Sequence, residues 1–150
     1  EEAARRVYEA RAEALRRILE AREAALERVF EAAREELEAA LAGDRRDPIL
    51  ERLLAEALAC FGDTPVLVRC PPGFQGPVQE AVDRLAAAPG GDRPRAGREI
   101  RVVEDPAVAG GVVVTSPDRR LEVDATLPGR LSALRPELAM DVAAHLEEPS

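Results

Sequence analysis

Three aspartates, two cysteines and one histidine are the residues of this chain whose types could carry chemistry. Asp105, Asp118 and Asp124 lie within twenty positions of one another, and a pair of carboxylates with separated pKa values could act as acid and base. Each, however, has a local role. Asp105 precedes Pro106, Asp118 falls in the turn sequence Ser116-Pro117-Asp118-Arg119, and Asp124 is placed facing outward near a helix start, all positions where aspartate bonds its own backbone. A thiol nucleophile built from Cys60 or Cys70 with His145 needs both groups in one pocket and a third to orient them, and no spacing supports that. His145 falls near the end of a helix, where a cation meets the negative end of the dipole. Two cysteines lack zinc-site spacing and are expected to be small buried hydrophobes. A chain without lysine cannot form a Walker A phosphate cradle, so Gly110-Gly111 reads as a turn. No catalytic residue, cofactor or metal is expected.

What positions these groups is a chain of two unlike parts. The first 42 residues contain no Gly and no Pro, and all 10 Gly and 12 Pro follow them, which divides the chain into a stalk helix over residues 1–43 and a globular α/β head over 44–150. The formal net charge is −8 and every one of the 21 bases is Arg. With no long basic run, binding along a nucleic-acid backbone is not expected. No apolar run reaches the length of a membrane span and no signal-peptide pattern is present, so the expectation is a soluble intracellular protein without membrane insertion.

The stalk carries an eleven-residue repeat. Ala4, Leu15, Leu26 and Leu37 form one column, Val7, Ile18, Val29 and Ala40 a second, Tyr8, Leu19, Phe30 and Leu41 a third. A seven-residue series from Tyr8 reaches Arg22 after one apolar step, so a heptad fails. Eleven residues over three turns favour a right-handed supercoil, and about 60 Å of helix at 1.5 Å per residue is more than the head can cover. The expected partner-helix seam is Val7, Tyr8, Leu15, Ile18, Leu19, Leu26, Val29, Phe30, Leu37 and Leu41. The chain opens at Glu1 already inside the repeat, and further helix is expected upstream.

Gly43 is expected to end the stalk in the left-handed conformation. Asp47 is then read as the N-cap of a helix from Pro48 to about Phe61, burying Ile49, Leu50, Leu53, Leu54, Ala57, Leu58 and Phe61. Thr64 to Cys70 reads as a strand buried on both faces. A third helix runs from Pro77 to about Ala88 with Val78, Val82, Leu85 and Ala86 inward, and Pro89 to Gly97 reads as a mobile loop. Three strands follow: Glu99–Glu104, with Ile100 and Val102 inward, Gly111–Thr115, and Arg119–Asp124, with Leu121 and Val123 on one face. The last two form a hairpin through a type I turn at Ser116. Thr126 is read as the cap of a final helix reaching about His145, with Leu131, Leu134, Leu138, Val142 and Leu146 buried. The fold class is α+β: a long N-terminal helix, then a small head with a mixed four-stranded sheet and helices, its β-α-β unit implying parallel strands.

From Gly110 to Leu146 the chain reads GGVVVTSPDRRLEVDATLPGRLSALRPELAMDVAAHL. A Gly-Gly opens a Val-rich strand, a Ser-x-Asp turn follows, a strand ends in Val-Asp, and Thr-Leu and Arg-Leu lead into the last helix. This resembles the C-terminal signature of the E subunit of the V-type and archaeal-type (A/V-type) ATPases, through Gly110, Gly111, Ser116, Asp118, Val123, Asp124, Thr126, Leu127, Arg130 and Leu131. Arg119 stands where the turn usually has Gly, and Ala125 where Asn usually precedes the Thr. The resemblance implies a non-catalytic peripheral-stalk component of a rotary proton- or sodium-transporting ATPase or ATP synthase. It implies a right-handed coiled coil with the G subunit (called H in some archaeal nomenclature) and contact of the head with the B subunit. It also implies a cytoplasmic place peripheral to the membrane, and a stator's task of holding the ATPase head against rotor torque. Two alternatives remain. A flagellar or type III export ATPase regulator shares a similar ending and would homodimerise, and an unrecognised enzyme would lose activity on replacement of Asp124 or Cys70.

Overall fold

The computed structural model describes residues 1–87 and 98–147, so the loop expected over Pro89–Gly97 lies outside the described residues. The chain packs as two compact units, one of Glu1–Arg34 with Ala133–Ser150 and one of Glu35–Ser132.

The long helix α1 runs from Glu2 to Ala42. Alanine, leucine, glutamate and arginine dominate it, all strong helix formers, and no Gly or Pro interrupts it. Ion pairs one turn apart, Arg5 with Glu9 at 2.9 Å and Arg17 with Glu13 at 3.0 Å, lie on its solvated faces. Gly43 does not end it as expected: its φ is not positive. Instead the Gly43 N–H reaches the Ala40 carbonyl at 3.4 Å and its own carbonyl accepts from Arg46 N–H at 3.1 Å, a tight turn that feeds the next helix directly.

That helix, α2 (Arg46–Leu58), therefore starts two residues before Pro48. Asp47 is not its N-cap. Arg45 already has helical dihedrals and makes no side-chain cap, and the Asp47 carboxylate accepts instead from Arg46 Nε at 2.9 Å. Pro48 remains within the first turn, where its missing N–H leaves no bond unmade. A 3-10 turn, Ala59–Phe61, tightens the end of the helix before Gly62 at φ 58°. The Arg98 guanidinium donates to the carbonyls of Leu58 at 3.3 Å and Gly62 at 2.7 Å, satisfying acceptors that a helix end leaves open.

Strands β1 (Val66–Cys70), β2 (Ile100–Glu104), β3 (Gly111–Thr115) and β4 (Glu122–Thr126) form one sheet in the order β2-β1-β3-β4. β1 pairs parallel with β2 and antiparallel with β3, and β3 pairs antiparallel with β4. The mixed four-stranded sheet is thus as expected, with α3 (Gln75–Ala87) between the two parallel strands. Leu50, Leu53, Leu54, Leu58 and Phe61 pack with Val78, Ala81 and Val82 over Val66, Val68, Val112, Val114 and Ala125. In α3, Val78 and Val82 are buried and Leu85 half-buried, as expected, but Ala86 is exposed and Ala81, outside the expected set, is buried, because Val78, Ala81, Val82 and Leu85 follow the three-and-four spacing of one stripe.

Two strands differ from expectation. β1 alternates, with Val66, Val68 and Cys70 buried and Leu67 and Arg69 half-buried, since α2 and α3 cover only one face. β4 begins at Glu122 rather than Arg119, and Leu121 is exposed. The hairpin loop is longer than four residues: Arg119 N–H bonds Ser116 O at 2.9 Å, and Ser116 N–H closes on Leu121 O at 2.9 Å.

The single final helix is two, α4 (Leu127–Ala133) and α5 (Arg135–Glu147). Pro136 explains the break, because a continuous helix would drive its ring against the Ser132 carbonyl. The expected stripe breaks with it. Leu131 is buried, Leu138 and Val142 are half-buried, and Leu134 and Leu146 are exposed.

Candidate functional site

Two surfaces collect the residues singled out by sequence. The first is the apolar seam of α1. In its first two repeats the seam is open: Val7, Tyr8, Leu15, Ile18 and Leu19 are exposed, with Leu15 at 57 % and Leu19 at 53 %. One repeat later, in the same columns, Leu26 is 5 % and Phe30 2 % exposed, while Val29 stays open. Leu37 is half-buried and Leu41 buried. Leu26 and Phe30 share their unit with the C-terminal segment. From that segment Arg135 places its guanidinium 4.8 Å from the Phe30 ring centroid and donates to Glu23 Oε1 at 2.8 Å and Glu27 Oε1 at 2.5 Å. At its other end Glu147 accepts from Arg22. The hydrogen bond from Arg135 is the main cause of a lowered Glu27 pKa. Sequence reasoning did not find Glu23, Glu27 or Arg135. The available signal was Arg135 itself, a base at the start of a helix, where the dipole disfavours it unless carboxylates compensate.

The second surface is the junction of the hairpin with α4, where the glycine signature lies. Gly110 has φ 73° and Gly111 φ 151°. A Cβ on Gly110 would fall 2.7 Å from Pro128 Cδ, and one on Gly111 2.6 Å from Ala125 O. The two glycines therefore let β3 start against β4 and the first turn of α4, and Leu127 N–H bonds the Gly110 carbonyl at 2.8 Å. Asp124 faces solvent, as expected, but its Oδ1 accepts from Thr126 N–H at 2.9 Å and from the Thr126 hydroxyl at 2.6 Å. Thr126 Oγ1 in turn accepts from Gly129 N–H at 3.1 Å. The expected Thr126 cap is present, with Asp124 holding it. Gly129 was not singled out, yet a Cβ there would lie 2.7 Å from Asp124 Oδ1, so the residue makes room for the carboxylate. Arg130 pairs with Glu56 of α2, and Leu131 next to it is buried.

The remaining chemical candidates are held in local structure. The Asp118 carboxylate accepts from the Ser116 hydroxyl at 2.6 Å and from Arg120 N–H at 3.1 Å, which lowers its pKa, the serine bond most. Asp105 accepts from Ala107 N–H at 2.9 Å and Arg69 Nη1 at 3.1 Å, lowering its pKa in that order of importance. Both shifts favour the charged acceptor, whereas a general acid at neutral pH needs the opposite. Arg69 also faces Glu122 at 3.4 Å, so the hollow between Leu67, Asp105, Thr115 and Glu122 has its charges matched. Cys70 is buried as expected, and burial, with Glu104 nearby, pushes its thiol pKa up. Cys60 is not buried but exposed, its Sγ against the Glu56 carbonyl at 3.7 Å, because it sits on the outer side of the 3-10 turn whose inner side is Phe61. His145 is exposed near the end of α5. Among the described residues no group of three or more His, Cys, Asp or Glu is placed to hold a metal ion, and no helix is long and apolar enough to cross a membrane.

Comparison with protein-family models matches residues 3–146 to the family described as ATP synthase (E/31 kDa) subunit. No curated protein matches the chain.

Proposed function

The chain belongs to the ATP synthase (E/31 kDa) subunit family, and from that membership we propose that it is a peripheral-stalk component acting as a stator in a rotary V/A-type ATPase. In this reading residues 1–43 are the stalk and residues 44–150 the head. The stalk winds right-handedly with one helix of the G subunit, and the head contacts the B subunit. The protein carries out no chemistry of its own. It transmits force from the membrane-embedded motor to the ATPase head, which would otherwise turn with the rotor, and it lies beside the membrane on the cytoplasmic side.

The observation that carries the reading is the open seam of α1. Val7, Tyr8, Leu15, Ile18 and Leu19 are large apolar side chains, all exposed, recurring at eleven-residue spacing along one face. Scattered exposed apolar residues need no explanation, but a continuous stripe of them on a long helix does. An eleven-residue period is the period at which two helices keep such a stripe in contact through a right-handed wind. The head's glycine-aspartate-threonine junction supports a role in docking rather than catalysis, since its polar groups satisfy one another and its glycines serve close packing.

Co-expression with a G subunit from the same genome tests the proposal. A one-to-one complex that survives gel filtration is expected, with circular dichroism showing helix gained in the partner. If the chain instead forms a stable homodimer and ignores the G subunit, the stator reading fails and the export-ATPase regulator replaces it.

A further inference from the structure

The eleven-residue repeat contains its own control. Leu15 and Leu26 are the same residue in the same column, and Leu19 and the likewise apolar Phe30 share another, yet exposure falls from 57 % to 5 % in the first pair and from 53 % to 2 % in the second. Beside the buried pair, α5 places Arg135 over the Phe30 ring and on Glu23 and Glu27, which flank Leu26. Its residues Arg135, Leu138, Ala139, Val142 and Ala143 are half-buried, a stripe at three-and-four spacing, and none of its side chains is fully buried. The named contacts that hold it to α1 are at its ends, Arg135 with Glu23, Glu27 and the Phe30 ring, and Glu147 with Arg22. All the charged groups in these contacts are exposed or partly exposed. Such pairs are individually weak and screened by salt.

From this we propose that α5 is a displaceable strap. It occupies the third repeat of the seam at Leu26 and Phe30 in the unpartnered chain, and an incoming amphipathic partner helix competes with it for those rows. The inference rests on the pairing proposed above and adds a sequence of events to it. The partner first engages the open repeats at Val7 to Leu19, then zips toward Leu26 as α5 is released. The geometry of α5 suits the task. It is 13 residues long, set off from α4 by Pro136, and carries too little apolar surface to hold a seam against a longer helix. While α5 is in place, Leu26 and Phe30 are closed to self-association.

Charge reversal at the strap's anchor is the test, carried out on the full chain with the G subunit as the probe. Arg135→Glu places like charges against Glu23 and Glu27. Amide hydrogen exchange of α5 in the free chain should quicken, and the partner should bind roughly fivefold or more tightly, the scale set by two exposed ion pairs and one cation–π contact. Adding Glu23→Arg and Glu27→Arg to the same chain should restore both properties toward wild type. In the wild type, exchange of α5 should quicken when the G subunit is added. If the G subunit binds while α5 keeps its protection and Arg135→Glu leaves affinity unchanged, the strap is wrong and the pairing stands. If neither chain binds the G subunit, the pairing is wrong and the strap falls with it.

Discussion

Replacing the three open leucine and isoleucine side chains of the second repeat with alanine should abolish most of the partner's affinity without touching the fold. Leu15, Ile18 and Leu19 are each about half exposed in the free chain. Full burial of such a side chain stabilises by about 1.5–3 kcal/mol, so closing the remaining half returns about 1 kcal/mol each. Together the three contribute about 3 kcal/mol, which is roughly a hundredfold in Kd. The free chain should barely notice, because substitutions at exposed positions usually stay within about 0.5 kcal/mol and alanine is the best helix former. Titration calorimetry with the G subunit measures the first effect and urea unfolding followed by circular dichroism the second. Arg17→Ala, which removes the exposed ion pair with Glu13, is the control and should bind as wild type. Leu26 is the wrong position for this test even though it lies in the same column. Its burial within the free chain would mix loss of partner contact with loss of α5 docking. If the triple alanine chain binds within about threefold of wild type, equivalent to less than 1 kcal/mol, the partner does not pack on this face.

Other expectations concern the head and the thiols. Gly111→Ala should destabilise by about 2–6 kcal/mol, since strained backbone and a contact too close to relieve add together. Gly62→Ala, with positive φ but open space around it, should lose only the backbone-strain part, about 1–3 kcal/mol; equal losses would mean the close approach to Ala125 does not matter. For pH, the sign follows from the lowered pKa values of Asp105 and Asp118. Their stabilisation is fully present above the ordinary aspartate pKa and is lost as pH falls through the lower folded values. Unfolding midpoints should therefore drop on acidification below about pH 4, and Asp118→Asn should flatten that drop. A maleimide should modify Cys60 rapidly in the native chain and Cys70 only after unfolding, read by mass spectrometry. Native labelling of Cys70 would show that its strand opens.

How much of this was legible from residues alone depends on the range of the interaction. The eleven-residue period of Val7, Leu15, Ile18 and Leu26 needs only helical geometry to be read, and the glycine, aspartate and threonine pattern from Gly110 to Leu131 is local enough that its caps and turn are visible in order. Local reasoning fails where two candidates compete for a boundary. Asp47-Pro48 is a sound helix start, but the Gly43–Arg46 turn supplies an earlier one. Thr126 to His145 is continuously helical by pattern, but Pro136 divides it.

What only the tertiary structure decided is which of the seam's equivalent rows are free. Leu15 and Leu26 are alike in type and period, so the repeat alone cannot assign one to solvent and the other to a buried site. That assignment depends on Arg135 reaching Glu23 and Glu27 across more than a hundred positions. The strand order β2-β1-β3-β4 has the same character. Four short strands determine that a sheet forms, because each must bury a face and pair its backbone, but which edges meet depends on how α2 and α3 share one surface of it. The repeat therefore specifies that the rod carries a continuous apolar seam. Where that seam is open is a property of the folded chain.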